Sequence, residues 1–135
     1  MTALPERYAG AVSFAFGDSP AMADDLLALV IAGTKTATCG AARDFGPGKA
    51  DLPVAGRRDI VLDGRGVPAA VIETLEVTRC RFDQIDERFA HDEGEGFRTL
   101  AYWRDGHRAY FERNGGWSED MELVCERFRL GEVLR

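Results

Sequence analysis

The chain has 135 residues, 45% of them hydrophobic and 30% charged, which is the size of one globular domain over residues 1–135 and too short for an enzyme with a separate cofactor lobe. Seventeen Lys and Arg against 23 Asp and Glu leave a formal charge of -6, which argues against a generic duplex-DNA coat protein while allowing a local basic groove. Three scattered cysteines (Cys39, Cys80, Cys125) and two histidines form neither a zinc set nor an even disulfide framework, so no metal and no cofactor is expected. The N-terminus lacks a secretory signal, and the longest apolar run, residues 26–32, falls far short of the ~18 residues of a spanning helix. A cytoplasmic protein with no membrane contact is expected.

In chain order, residues 13–16 read as a short strand, and Gly17-Asp18-Ser19-Pro20 then opens a helix with Ser19 as N-cap and Pro20 in the first turn. Met22, Leu26, Leu29 and Val30 recur at helical spacing, and Gly33 ends the helix in the left-handed conformation. Residues 34–39 are rich in β-branched side chains and read as a strand; residues 40–56 read as a surface loop whose length suggests function. Residues 58–62 and 67–78 form a hairpin about Asp63-Gly64. A short helix over 82–89, a second long helix over 97–114 closed by Gly115-Gly116, and a last strand over 121–130 complete an α+β chain.

Strand parity singles out two acids. Glu73 shares a face with Val67, Ala69, Val71, Leu75 and Val77, so in a regular strand its carboxylate points inward, either to a pocket or to a buried ion pair; a bulge would turn it outward. Glu126 shares a face with Val124, Phe128 and Leu130, and an inward structural role is expected for it. Lys35 follows a helix end, where it is either a solvated cation or the activator of the Thr38 hydroxyl; the two converge only if the helix-to-strand junction is irregular. On the second long helix Arg104, His107 and Arg108 fall at i, i+3 and i+4 among aromatics that include Tyr110, a pattern of either a solvated basic face or a track for single-stranded nucleic acid. Ser118 caps a turn or faces the same site. His91 with Asp92, Glu93 and Glu95 only superficially suggests a metal cluster, and no phosphate-binding glycine motif occurs.

In an ordered set, residues Phe14-Ala15-Phe16-Gly17-Asp18, Gly33-Thr34-Lys35-Thr36-Ala37-Thr38, Val71-Ile72-Glu73, the segment from Trp103 to Phe111, and Cys125-Glu126-Arg127-Phe128 resemble the ASCH domain family. The resemblance implies a PUA-like β-barrel with flanking helices and a link to RNA. Some members of that family bind or cut single-stranded RNA; a small bacterial member removes the acetyl group of N4-acetylcytidine. By resemblance, Thr38 is the nucleophile, Lys35 its base and Glu73 the acid that protonates the leaving amine. The family signature often carries an arginine where this chain has Gly40, a substrate clamp that Arg43 or a helix arginine would replace. The leading expectation is single-stranded RNA binding with weak ribonuclease activity, using Arg43, Arg104, His107, Arg108, Tyr110 and Ser118 as contacts. The alternatives are an amidohydrolase of N4-acetylcytidine-type nucleosides and a non-catalytic RNA-binding module.

Overall fold

The first helix forms where its start and stop signals place it. In the computed structural model, which describes residues 4–135, α1 spans Pro20–Ile31, the Ser19 side chain accepts a hydrogen bond from the Met22 N–H at 3.1 Å, and Gly33 takes a φ of 79°. Two more helices follow, α2 (Glu87–Glu93) and α3 (Leu100–Arg113), capped by Asp86 and Thr99. The second long helix thus starts three residues later than the periodicity predicts, because Thr99 supplies the side-chain acceptor for the Tyr102 N–H.

The strands are β1 (Ser13–Phe14), β2 (Ala37–Ala41), β3 (Arg58–Leu62), β4 (Pro68–Arg81) and β5 (Glu122–Val133), ordered β1-β3-β4-β5-β2 in one sheet. β1 runs parallel to β3, and every other pairing is antiparallel. The α+β class is as expected. Among the described residues the two edge strands, β1 and β2, do not pair, so the expected barrel is an open sheet.

The hairpin turn departs from the tight Asp-Gly form. Asp63 accepts the N–H groups of Arg65 and Val67 on its carboxylate, and the positive φ falls at Gly66. Gly64 instead donates its N–H to Asp24 of α1 at 2.7 Å, which ties hairpin to helix.

Among the described residues three apolar clusters pack on the sheet, the smallest of them Tyr8 with Ile60 and Val71. α1 buries Leu26, Leu27 and Val30 against Val61, Ile72 and Phe128, whereas α2 and α3 bury Phe89, Trp103 and Phe111 against Phe82 and Leu123. β2 and Phe16 lie where these two helix-packed clusters meet, and the cleft opens between them.

Candidate functional site: a buried ion cluster beneath a two-chamber cleft

Gly33 lets the chain leave α1 in a wrap rather than a straight extension. The N–H groups of Thr34 and Lys35 both donate to Leu29 O, and that of Thr36 donates to Asp92 O, so the junction is irregular and the strand begins only at Ala37. Lys35 is therefore carried inward, where it is 2% exposed. Its ammonium group donates to Ala37 O at 2.9 Å, Glu93 O at 3.3 Å and Glu93 Oε1 at 2.9 Å, which uses all three hydrogens; Glu95 stands 3.6 Å away.

Glu93, 1% exposed, is the last residue of α2. Its Oε2 accepts the indole N–H of Trp103 at 2.7 Å and the Cys39 thiol at 3.4 Å, and lies 3.3 Å from His107 Nε2. His107 Nδ1 is 2.9 Å from the Trp103 carbonyl, which can only accept, so Nδ1 carries hydrogen. Nε2 faces the Glu93 carboxylate at 3.3 Å, which favours the imidazolium form, and the ring stacks on Trp103 at 4.2 Å.

Gly94 makes the turn that delivers Glu93. It has a φ of 79°, and a Cβ there would lie 2.7 Å from Thr34 O. Gly94→Ala combines left-handed strain with a clash against fixed backbone, and is expected to cost about 2 kcal/mol or more in chemical denaturation. A loss below ~0.5 kcal/mol would show that the turn can relax.

Electrostatics follow from the packing. Burial pushes the Glu93 carboxyl up, but Lys35 and His107 overcome it and hold the group far below its ordinary value of 4.5. Burial likewise lowers His107 and Lys35, and the Glu93 carboxylate more than restores them, so both end raised. The Cys39 thiol is pushed well up by burial and by Glu93. Glu93 therefore contributes stability in full above pH 4.5 and loses it as pH falls toward its depressed value. His107 contributes in full below pH 6.5 and loses that contribution as pH rises through its raised value. Melting temperature is expected to decline above pH 6.5 in the parent and to flatten in His107→Gln; parallel profiles would place the His107 charge elsewhere.

Two chambers open above this cluster. The inner one, about 210 Å³, is lined by Lys35, Glu93, Glu95 and His107; the outer, about 350 Å³, by Phe14, Phe45, Arg57, Asp59 and Glu126. Phe16, Thr38, Cys39, Gly40 and Tyr110 border both, so Thr38 stands where the chambers join. Among the described residues the Thr38 hydroxyl makes no hydrogen bond, which leaves it free for a ligand. Gly40 has a local reason: a Cβ would approach the Phe45 ring to 3.1 Å, so the ring occupies the space above the position where the family signature often has arginine.

Lys35, Thr38, His107 and Tyr110 thus come together, and the other expected site residues do not. Glu73 lines neither chamber; it pairs with Arg129 at 2.9 Å and Arg58 at 3.6 Å, and these cations hold its carboxyl below the usual range. Val71 and Glu73 do share a face, but it is the one packed on Tyr8 and Ile60, away from the cleft. The extra residues in the β4–β5 pairing are Gly131 of β5 and Leu75, which follows Glu73, and it is Thr74, on the face of Ile72, that turns toward the cleft. Arg104 and Arg108 are exposed: the i+3 neighbour His107 turns inward with Trp103 and Phe111, while Arg108 lies 4.2 Å over Trp117 and 3.7 Å from Glu112. Arg43 donates to Gly116 O at 2.7 Å, and Ser118 sits in the exposed turn before β5, lining neither chamber. Glu126 is inward as expected, 8% exposed, on the wall of the outer chamber.

Sequence reasoning missed the central acid. Glu93 sits one helical turn after Phe89 on the buried face of α2, so period 3.6 carried the signal, but the segment reads as an acidic break when the helix is ended too early. Cys39, Glu93 and His107 bring three ligand atoms within 4.8 Å of one another, a grouping that could hold a metal ion. The carboxylate is already filled by an ammonium, an indole N–H and an imidazolium, and the thiol is held protonated, so the donor set fits an ion pair better than a cation. Among the described residues no helix is long and apolar enough to cross a membrane.

An open five-stranded sheet with helices enclosing a lysine–glutamate–histidine cluster defines a small PUA-like α+β domain with a recessed polar site. The chain belongs to the ASCH domain family, whose pattern matches residues 12–132. It is similar to a protein of Enterococcus faecalis, at 35% identity and a TM-score of 0.83 over 91% of this chain and 77% of that one. It is also similar to an ASCH domain of Lactobacillus crispatus, at 31% identity and a TM-score of 0.84 over 93% of this chain and 82% of that one. An ASCH protein of Zymomonas mobilis shares the fold at 12% identity and a TM-score of 0.56, over 93% of this chain and 71% of that one. No curated protein matches the chain.

Proposed function

We propose that this ASCH domain is a hydrolase of N-acylated pyrimidine nucleosides, free or within RNA, and that the carboxylate of its site is Glu93 in place of the Glu73 that the resemblance implies. The observation that carries this reading is the buried Lys35–Glu93–His107 cluster lining a cleft with an unengaged Thr38 hydroxyl at its junction. The two chambers together reach the size range of small-ligand sites. A ribonuclease is supported less well: a lysine that is 2% exposed and fully hydrogen-bonded is poorly placed to meet a phosphate backbone, and Arg104 and Arg108 face solvent.

In this mechanism Thr38 Oγ1 attacks the acyl carbonyl carbon and the C–N bond breaks. The amine leaves with a proton, and water cleaves the threonyl ester, so amide and water become amine and acid. The hydroxyl proton passes into the Lys35–Glu93–His107 cluster and one returns from it to the leaving nitrogen, so the cluster's charge is restored in each cycle. Lys35, its hydrogens already committed, keeps Glu93 ionised and fixed rather than acting as the base.

Incubation with N4-acetylcytidine and, separately, with single-stranded RNA tests the reading by mass analysis of products. Cytidine and acetate in equal amounts, at a rate insensitive to added salt, are expected. Strand scission with the nucleoside untouched would replace it with a ribonuclease, and no product from either would leave a binding module.

A further inference from the structure

The outer chamber has a chemistry that the hydrolytic cluster does not use. Its walls carry the aromatic rings of Phe14, Phe16, Phe45 and Tyr110, and two of its charged groups neutralise each other. Arg57 clamps Asp59 through two hydrogen bonds of 2.8 Å each, which neutralises both. Asp51 is exposed to solvent, and Glu126 is the buried acid that no cation pairs among the described residues. It projects from β5 opposite Thr38 of β2, and its one hydrogen bond among the described residues comes from the Thr74 hydroxyl of β4, to Oε1 at 2.5 Å. Oε2 is left without a partner on the wall of an apolar chamber.

We infer that the outer chamber is a base-binding subsite in which Glu126 selects a heterocycle whose edge sets a ring-nitrogen acceptor beside an exocyclic N–H donor, as in cytosine. A carboxylic acid matches that edge in two hydrogen bonds: the Oε2–H donates to the ring nitrogen, and Oε1, already receiving Thr74, accepts the exocyclic N–H with its second lone pair. Uracil presents N–H at the ring position and carbonyl beside it, which reverses the pattern. Burial favours the acid form of Glu126, and Asp59 adds to it, against the opposing pull of Thr74 and Arg57. With the base so placed, its acylated amino group lies toward Thr38, at the passage to the inner chamber.

The inference rests on the proposed hydrolase for the position of the acyl group, but binding tests it separately. Cytidine and uridine are titrated against the parent, Glu126→Gln and Glu126→Met at neutral pH and observed by chemical-shift perturbation, with a melting curve for each variant. Cytidine is expected to bind the parent roughly 10-fold or more tightly than uridine. Glu126→Gln, whose amide offers the same donor and acceptor as a carboxylic acid, is expected to keep cytidine within about threefold and lose any weakening at alkaline pH, whereas Glu126→Met weakens it roughly 10-fold or more. Equal affinity for the two nucleosides, no binding of either, or loss of cytidine by a folded Glu126→Gln overturns the subsite. Cytidine selectivity without acetyl release would keep the subsite and sink the hydrolase; acetyl release unchanged in Glu126→Met would keep the hydrolase and sink the subsite.

Discussion

Glu93→Ala is expected to lower the unfolding free energy by about 3–5 kcal/mol, the largest effect of any single substitution at the site. The reason is what remains behind. Lys35, 2% exposed, keeps its charge without its carboxylate, the Trp103 indole N–H loses its acceptor at 2.7 Å, and the His107 imidazolium loses its counter-ion. Replacing both partners at once, as Lys35→Met with Glu93→Leu, removes the stranded charge and is expected to recover most of the loss, because desolvation of the ion pair disappears with it. Urea denaturation of the parent, the single variant and the double variant measures this directly. A cost under ~1 kcal/mol for Glu93→Ala would mean that water reaches the cluster and that the pair behaves as a surface salt bridge.

Much of the scaffold was legible because local chemistry determines it. Ser19 and Pro20 start α1, Gly33 stops it, and the run of β-branched residues after Gly33 leads into β2. The resemblance was legible too, through an ordered set of short segments spread over most of the chain. What could not be read was anything that depends on two distant segments meeting. Lys35 and Glu93 are 58 positions apart, and nothing in either neighbourhood specifies the other. Parity arguments failed at Glu73 and succeeded at Glu126 because β4 is packed on both faces, Val71 against Tyr8 and Ile72 against Val61, so the apolar face that Glu73 shares is not the cleft face, and Leu75 is extra in its pairing with β5; Glu126 lies in the stretch of β5 where pairing with β2 runs without a break. A bulge is a property of two strands together, so a single strand's alternation does not reveal it. The basic stripe failed because a helix face is wide enough for His107 to turn inward while Arg104 and Arg108 point to water.

Thr38→Val is expected to abolish turnover of N4-acetylcytidine, by a factor of about 10³ or more in kcat, with little change in the affinity for cytidine. Valine keeps the shape and the β-branching that suit β2 while removing only the oxygen. Since the hydroxyl makes no hydrogen bond among the described residues, its loss strands no partner, and stability is expected to stay within about 0.5 kcal/mol. That separation of activity from stability is what distinguishes Thr38 from Lys35 and Glu93, where both fall together. Thr38→Ser restores a hydroxyl and is expected to recover part of the rate, at the expense of a looser rotamer. Rapid acid quench followed by peptide mass analysis adds a readout independent of rate: the parent should carry one acetyl group on the peptide containing Thr38, and the valine variant none. Full turnover by Thr38→Val would mean that water, rather than this hydroxyl, attacks the carbonyl.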